Sequence, residues 1–133
     1  MGGGQSNNNK PEIDEISLPL PHESEWVEVP NPDKWSGIAI SGGGQSIIAS
    51  VYGGPLWLSS NYGATWDAQQ WENTRQWIGT TSSCNNSKRA AIVQHGNIWV
   101  QEGSDWKEMT ASAKDWQAIT YSCDGTRLVA IGK

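Results

Sequence analysis

The sequence predicts an all-β protein built as an array of four-stranded antiparallel sheets, which we call blades. Three observations support this prediction. Tryptophan returns with a period of about forty residues, turn glycines divide the chain into short runs, and Val, Ile, Thr and Trp dominate those runs. No stretch keeps a 3.6-residue apolar stripe for three turns, so the pattern is not that of a helical protein.

The repeat is set by three tryptophans, Trp35, Trp77 and Trp116. Six residues after each lies a serine and fourteen residues after each lies an alanine, without a gap in any copy. Four more tryptophans recur in phase, namely Trp57, Trp66, Trp99 and Trp106. Because side chains in phase with a repeat serve the repeating unit, we expect all seven to pack within or between blades.

Within each copy the apolar runs predict strands A to D in order. In the first copy they span residues 35–41, 46–52, 55–60 and 65–69, and in the second 77–83, 89–94, 97–101 and 105–110. The third copy supplies only strand A, residues 116–122, and strand B, residues 127–131. Glycines at residues 42–44 and 53–54 predict tight hairpins that need a positive φ.

The segment before the first full copy predicts two further strands. Residues 24–28 resemble residues 104–108, so Trp26 is expected to open a D strand, and residues 18–20 align with strand C. We therefore expect a flexible tail over residues 1–12 and blade repeats over 13–133. Their parts are strands C and D over 16–30, blades over 35–70 and 77–112, and a partial blade over 116–133.

These parts amount to about 2.5–3 blades of a propeller-like array. Strands C and D from one end and A and B from the other would complete a third blade, within one chain or between chains. Three outcomes are open for the exposed sheet faces. The array is closed by self-association, a dimer giving six blades, or it stays open and packs on another protein, or the sequence is a C-terminally truncated piece of a longer chain.

The segment Ser59–Trp66 matches the pattern Ser-x-Asp-x-Gly-x-Thr-Trp, with Asn61 in place of the Asp. It resembles the Asp-box, or bacterial neuraminidase repeat, of a β-propeller family, and the blades are similar to those of photosystem-assembly-factor and sortilin-type propellers. The resemblance covers roughly residues 24–131 and implies a C–D hairpin. In such a hairpin Asn61 would accept turn hydrogen bonds, Gly63 would be left-handed, and Thr65 and Trp66 would complete the motif. The second copy, over residues 102–106, is shorter and lacks the Thr.

Charge and cysteine content limit the class of protein. A net charge of −5 and a pI near 4.9 argue against a surface that follows nucleic-acid phosphates. Cys84 and Cys123 fall at equivalent points of two repeats, so we expect them on neighbouring blades, apart from each other, as free thiols in a reducing compartment. No apolar run reaches the ~20 residues of a membrane span and no secretory signal is visible, which predicts a soluble, intracellular protein.

Catalysis is not expected, although the resembled family includes sialidases. A sialidase-like site needs three converging arginines. Arg89 and Arg127 are expected to begin B strands, whereas Arg75 falls in a D–A connection at the opposite rim. His22 and His95 lack the spacing of shared metal ligands. We therefore expect no catalytic residue, no metal and no cofactor.

Binding is the expected function, because the D–A and B–C loops of a propeller share one face. Candidate binding residues on that face are Tyr52, Trp71, Arg75, His95 and Asp115. Trp71 lies outside the repeat register, so it either forms a stacking platform or covers a neighbouring blade. The first hypothesis is a non-catalytic interaction or assembly module for a protein partner. A carbohydrate-binding propeller using Trp71 and Tyr52 is the second, and a degenerate sialidase-like glycosidase is the third.

The amino terminus, residues 1–6, fits the N-myristoylation pattern, with Gly2 as the acceptor. A glycine-rich start followed by three asparagines is also typical of a flexible tail. Membrane binding is therefore expected only if Gly2 is acylated, and one acyl chain would bind weakly.

Overall fold

The computed structural model describes residues 34–69, 75–109 and 114–133, and these ranges contain ten antiparallel strands joined by turns. They belong to one of two compact units, Asn31–Lys133. The other unit, Met1–Pro30, lies outside the described residues, as do the predicted tail and N-terminal strands. In the described ranges there is no helix that could span a membrane.

The strands follow one another in chain order as three blades. Blade 1 comprises β1 (Trp35–Ile40), β2 (Ile47–Gly54), β3 (Leu56–Ser59) and β4 (Asp67–Ala68). Blade 2 comprises β5 (Arg75–Ser82), β6 (Lys88–Val93), β7 (Ile98–Glu102) and β8 (Asp105–Glu108). Blade 3 comprises β9 (Trp116–Tyr121) and β10 (Leu128–Gly132). The predicted all-β, blade-repeat fold is confirmed, with A to D strands close to the expected bounds.

Neighbouring strands within each blade are paired antiparallel. Blades 1 and 2 are also joined at one rim, where the end of β2 pairs with the start of β5 through Tyr52 with Gln76 and Gly54 with Arg75. The result is one eight-stranded sheet and a separate pair, β9 with β10, among the described residues.

The three repeat tryptophans occupy equivalent strand positions. Trp35 is paired with Val51 and Trp77 with Val93, and in both strands the register shifts before the glycine two residues further on. Trp116 is paired with Gly132, again next to a register shift. Each A strand therefore carries an indole at the position that the forty-residue period predicts, next to a β-bulge.

The core lies between blades 1 and 2. Ile48 and Leu56 from blade 1 and Trp77 and Ala91 from blade 2 are fully buried in one cluster. Burying each larger apolar side chain contributes about 1.5–3 kcal/mol. The alternation of strands explains this cluster, since Ile48 faces blade 2 while its neighbours Ile47 and Ala49 face the other side of the sheet.

The A strands approach one another closely where blades converge. A Cβ atom on Gly37 of β1 would lie 2.9 Å from the Cα atom of Gly79 in β5. No side chain fits there, so glycine permits this close contact between the two blades.

The prediction of free thiols is wrong. Cys84 and Cys123 form a disulfide, with their Cα atoms 4.5 Å apart. Both residues follow the end of an A strand, β5 or β9, and the Cys84 amide donates to the Cys123 carbonyl at 2.8 Å. Where the blades converge, residues at the same repeat position of neighbouring blades are in contact. The equivalent positions of the two cysteines therefore bring their sulfur atoms together instead of keeping them apart.

Candidate functional site

The B–C turns and the residues before the A strands form one rim, which we call the binding rim. On it Tyr52 Oη of blade 1 donates to Gln94 Oε1 of blade 2 at 2.5 Å. At the boundary between blades 2 and 3, His95 Nδ1 lies 3.7 Å from Asp115 Oδ1. Asp115 directly precedes β9 of blade 3. Two side-chain contacts, joined through the adjacent residues Gln94 and His95, therefore link the three blades along this rim.

The turn that carries His95 is fixed by its neighbours. His95 has a φ of 53°, in the left-handed region, and the Gly96 amide donates to the Val93 carbonyl at 3.0 Å. The Trp116 indole Nε1 of blade 3 donates to the Gly96 carbonyl at 3.0 Å. The imidazole itself is 71% exposed. A rigid turn thus presents an accessible side chain, which lowers the conformational cost of binding.

The Arg75 side chain contacts an aromatic ring of its own blade. Its guanidinium carbon lies 4.4 Å from the centroid of the Trp99 ring, a cation–π contact within blade 2. Lys114 is placed similarly, with Nζ 5.8 Å from the Trp116 ring centroid. Of the predicted binding residues, Tyr52, His95 and Asp115 are brought together, while Trp71 and Gly2 lie outside the described residues. Gln94 is a member that the sequence did not single out.

The Asp-box-like turn connects β3 to β4 at the opposite rim. Asn61 Oδ1 accepts from the Thr65 amide at 2.9 Å, and Asn61 Nδ2 donates to Thr65 Oγ1 at 2.8 Å. Ser59 Oγ accepts from the Gly63 amide at 2.8 Å, and Trp66 Nε1 donates to the Gly63 carbonyl at 3.0 Å. Gly63 has a φ of 87°. Asn61 thus accepts a backbone hydrogen bond in the turn, the role that the resemblance assigns to it.

The A–B turns of blades 2 and 3 repeat a similar network, which sequence analysis missed. Asp124 Oδ1 accepts from the Thr126 amide at 3.0 Å, from Thr126 Oγ1 at 2.8 Å and from Ser122 Oγ at 2.8 Å. Asn85 Oδ1 accepts the same three bonds from Ser87 and Ser83. The available signal was Ser-x-Asx-x-Ser/Thr, present in both copies.

The hydrogen bonds lower the pKa of the Asp124 carboxyl from 3.8 to about 2, with the Thr126 amide as the largest cause. Donors that favour the charged form stabilise a carboxylate even at the surface. The Asp124 turn is therefore a pH-dependent element of blade 3.

A groove of about 530 Å³ lies between blades 2 and 3. Its apolar lining includes Val100, Met109, Tyr121 and Leu128. Burial, with the nearby Glu102 carboxylate as a second cause, raises the pKa of Tyr121.

The arginines are held separately rather than around one ligand. Arg75 stacks on Trp99, and Arg89 Nη1 donates to Gln101 Oε1 at 2.7 Å within blade 2. Arg127 directly precedes β10 of blade 3. Within residues 34–69, 75–109 and 114–133, no three His, Cys, Asp or Glu side chains cluster as metal ligands.

Comparison with solved structures identifies the class of fold as a β-propeller. The chain is similar to YCF48 from Cyanidioschyzon merolae, with a TM-score of 0.59 and 14% identity over 79% of this chain and 39% of that one. It is also similar to YCF48 bound to D1 peptide, with a TM-score of 0.50 and 16% identity over 80% and 35% of the two chains.

A third similar structure is a GH74 enzyme from Niastella koreensis, with a TM-score of 0.51 and 14% identity. That match covers 66% of this chain and 13% of the enzyme. The chain thus spans less than half the length of each of these structures. No protein-family model and no curated protein matches it.

Proposed function

We propose that the protein is a non-catalytic binding module that holds a protein partner, or an extended segment of one, on the binding rim. The observation that supports this proposal is the set of contacts from Tyr52 through Gln94 and His95 to Asp115, to which three successive blades contribute. Side chains presented by rigid turns on a blade scaffold are suited to recognition, because little order is lost on binding.

The chemistry of the rim fits a polar peptide with an apolar anchor. Tyr52 offers a 38% exposed aromatic ring next to a hydrogen-bonding amide, and His95 and Asp115 offer a donor and an acceptor. Tyrosine is enriched at protein interfaces because it combines contact area with a polar end. The similar YCF48 structure with a bound D1 peptide supports a peptide or protein as the ligand class.

A matched pair of exposed tyrosines tests the proposal. Tyr52 lies on the binding rim, whereas Tyr62 lies on the opposite rim and is 61% exposed. Peptides selected from a displayed library against the wild-type protein should bind at least tenfold more weakly to Tyr52→Ala and His95→Ala. They should bind unchanged to Tyr62→Ala. Equal loss in Tyr62→Ala, or no loss in the rim variants, contradicts the use of this rim.

A glycan is the second candidate ligand, because an exposed aromatic ring beside hydrogen-bonding groups also suits a sugar face. The same variants separate the two candidates on a glycan array. Glycan binding that Tyr52→Ala removes would favour a lectin-like role over a protein partner.

Two other expectations stay predictions. Acylation at Gly2, and with it membrane attachment, is checked by the intact mass of the protein expressed in eukaryotic cells. The intracellular location loses the support of free thiols, because Cys84 and Cys123 are bonded. Disulfides persist mainly in oxidising compartments.

A further inference from the structure

Among the residues that the structure describes, blade 1 and blade 3 each expose an apolar face. On the first, which we call the leading face, Trp35, Ile38 and Ile40 are 37%, 67% and 57% exposed. On the second, the trailing face, Val129 and Ile131 are 56% and 59% exposed. Alternation along β1 and β10 places the apolar members of each set on one side of the sheet. Exposed apolar surface of this kind marks an interaction site.

The boundary between blades 1 and 2 shows what these faces do when they are covered. Trp77 and Thr80 hold the repeat positions of Trp35 and Ile38, and they are 0% and 8% exposed. The leading side of blade 2 is thus buried against blade 1. The leading face of blade 1 is the same kind of surface without a described blade in front of it.

The trailing face of blade 3 corresponds to the blade 1 side of the boundary between blades 1 and 2. Val129 lies thirteen residues after Trp116, just as Ile48 lies thirteen residues after Trp35. Ile48 is fully buried against the leading side of blade 2. The chain therefore exposes both halves of an interface that it already forms internally.

A ladder of backbone hydrogen bonds also runs from blade to blade in one direction. The Gly42 amide donates to the Cys84 carbonyl at 2.7 Å, and the Cys84 amide donates to the Cys123 carbonyl at 2.8 Å. The three residues hold equivalent positions after strand A, so each blade donates to the next. If a second molecule packed its blade 3 against blade 1 in the same way, its Cys123 amide would continue this ladder at the Gly42 carbonyl.

We propose that a second copy of this chain covers both faces, with the trailing face of each copy packed against the leading face of the other. The contact is head-to-tail, and two copies close a ring in which six A strands surround the axis. An interface of this type forms closed rings when its rotation completes a circle. Closure here leaves neither apolar face in water.

A disulfide trap tests the geometry directly. A Cβ atom on Gly42 would lie 3.2 Å from the Cys84 Cβ atom of the next blade, so position 42 is in disulfide range of its equivalent one blade further on. In Gly42→Cys/Cys84→Ser the native bond is absent, and Cys123 of one copy should pair with the new thiol of the other. Mild oxidation should convert most of the protein into a dimer on non-reducing gels, and a reductant should reverse this.

The controls are Cys84→Ser, which retains only Cys123, and Gly42→Cys/Cys84→Ser/Cys123→Ser, which retains only the new thiol. Neither should crosslink efficiently, because head-to-tail contact does not bring identical positions together. Equal crosslinking in the Cys84→Ser control overturns the proposal, since it requires a symmetric contact. Crosslinked species beyond the dimer overturn closure by two copies.

Sedimentation keeps the proposal testable if the trap variant does not fold. The wild-type chain should sediment at about 29 kDa, twice its mass of 14.5 kDa. Ile38→Asp and Val129→Asp should each sediment as monomers, while an equimolar mixture should recover dimers through the one interface that remains intact. A wild-type chain that is still monomeric at 100 μM overturns the proposal. That concentration is about tenfold or more above the dissociation constant of a typical specific dimer. A mixture that stays monomeric overturns the proposal as well.

Discussion

Cys84 and Cys123 are covalently joined across the boundary of blades 2 and 3, although they are 39 positions apart in sequence. They are the same residue of the repeat in two successive blades. The bond therefore fixes blade 3 against blade 2 at the point where the A strands converge.

Removal of this disulfide should destabilise the array by about 2–4 kcal/mol, because it restores the conformational entropy of a long loop to the unfolded chain. Urea unfolding with and without a reductant measures the change. Cys84→Ala/Cys123→Ala should match the reduced wild-type protein and should not respond to the reductant. Two thiols that react freely in the unfolded, non-reduced protein would contradict the bond.

Asn61→Ala should destabilise the protein by about 1–2 kcal/mol, because the Thr65 amide and hydroxyl lose their partners in the β3–β4 turn. Asn61→Asp keeps the acceptor for the Thr65 amide and can accept from the Thr65 hydroxyl, so its stability should be close to that of the wild type. Denaturant midpoints compare the two variants. A larger loss in Asn61→Asp than in Asn61→Ala would contradict this account of the turn.

The Asp124 turn should stabilise blade 3 fully above about pH 4 and progressively less as the pH falls through 2. The sign follows from the folded pKa of about 2, which lies below the ordinary 3.8, so the folded state favours the ionised carboxylate. Asp124→Asn keeps an acceptor without a titrating group. The stability difference between the wild type and Asp124→Asn should therefore shrink as the pH falls from 4 to 2.

The pKa itself is measured by NMR titration of the Asp124 carboxyl carbon. Its midpoint should lie near 2, and Thr126→Val, which removes one of the donors, should raise it towards 3.8. A midpoint near 3.8 in the wild type would show that the turn does not hold the carboxylate.

Tryptophans at equivalent repeat positions should contribute differently to the free energy of unfolding. Trp77→Ala should cost about 3–5 kcal/mol, because Trp77 is fully buried in the boundary between blades 1 and 2. In dilute solution, Trp35→Ala should reduce the free energy of unfolding by less than half as much, because Trp35 is 37% exposed. Thermal unfolding of both variants checks the order, and equal losses would contradict the assignment of the buried face.

Local patterns predicted the strands, because turn residues bound each strand and Trp35, Trp77 and Trp116 mark the same repeat position in the three A strands. Contacts between blades were harder to foresee. The Cys84–Cys123 bond depends on how closely the A strands approach, which Gly37 and Gly79 permit, and the period alone contains no such distance. On the binding rim, Tyr52 and His95 were predicted as rim residues. Gln94 was not, because it is linked to Tyr52 through space from the next blade.

Amide hydrogen exchange at Gly42 and Cys84 tests the stacking of successive blades most directly. Both residues lie in turns, yet each amide donates to the carbonyl of the following blade. If the blades pack in register, both amides should exchange as slowly as those of central strand β2, through opening of the whole array. Exchange at the rate of an unprotected turn would contradict the packing of blades in register.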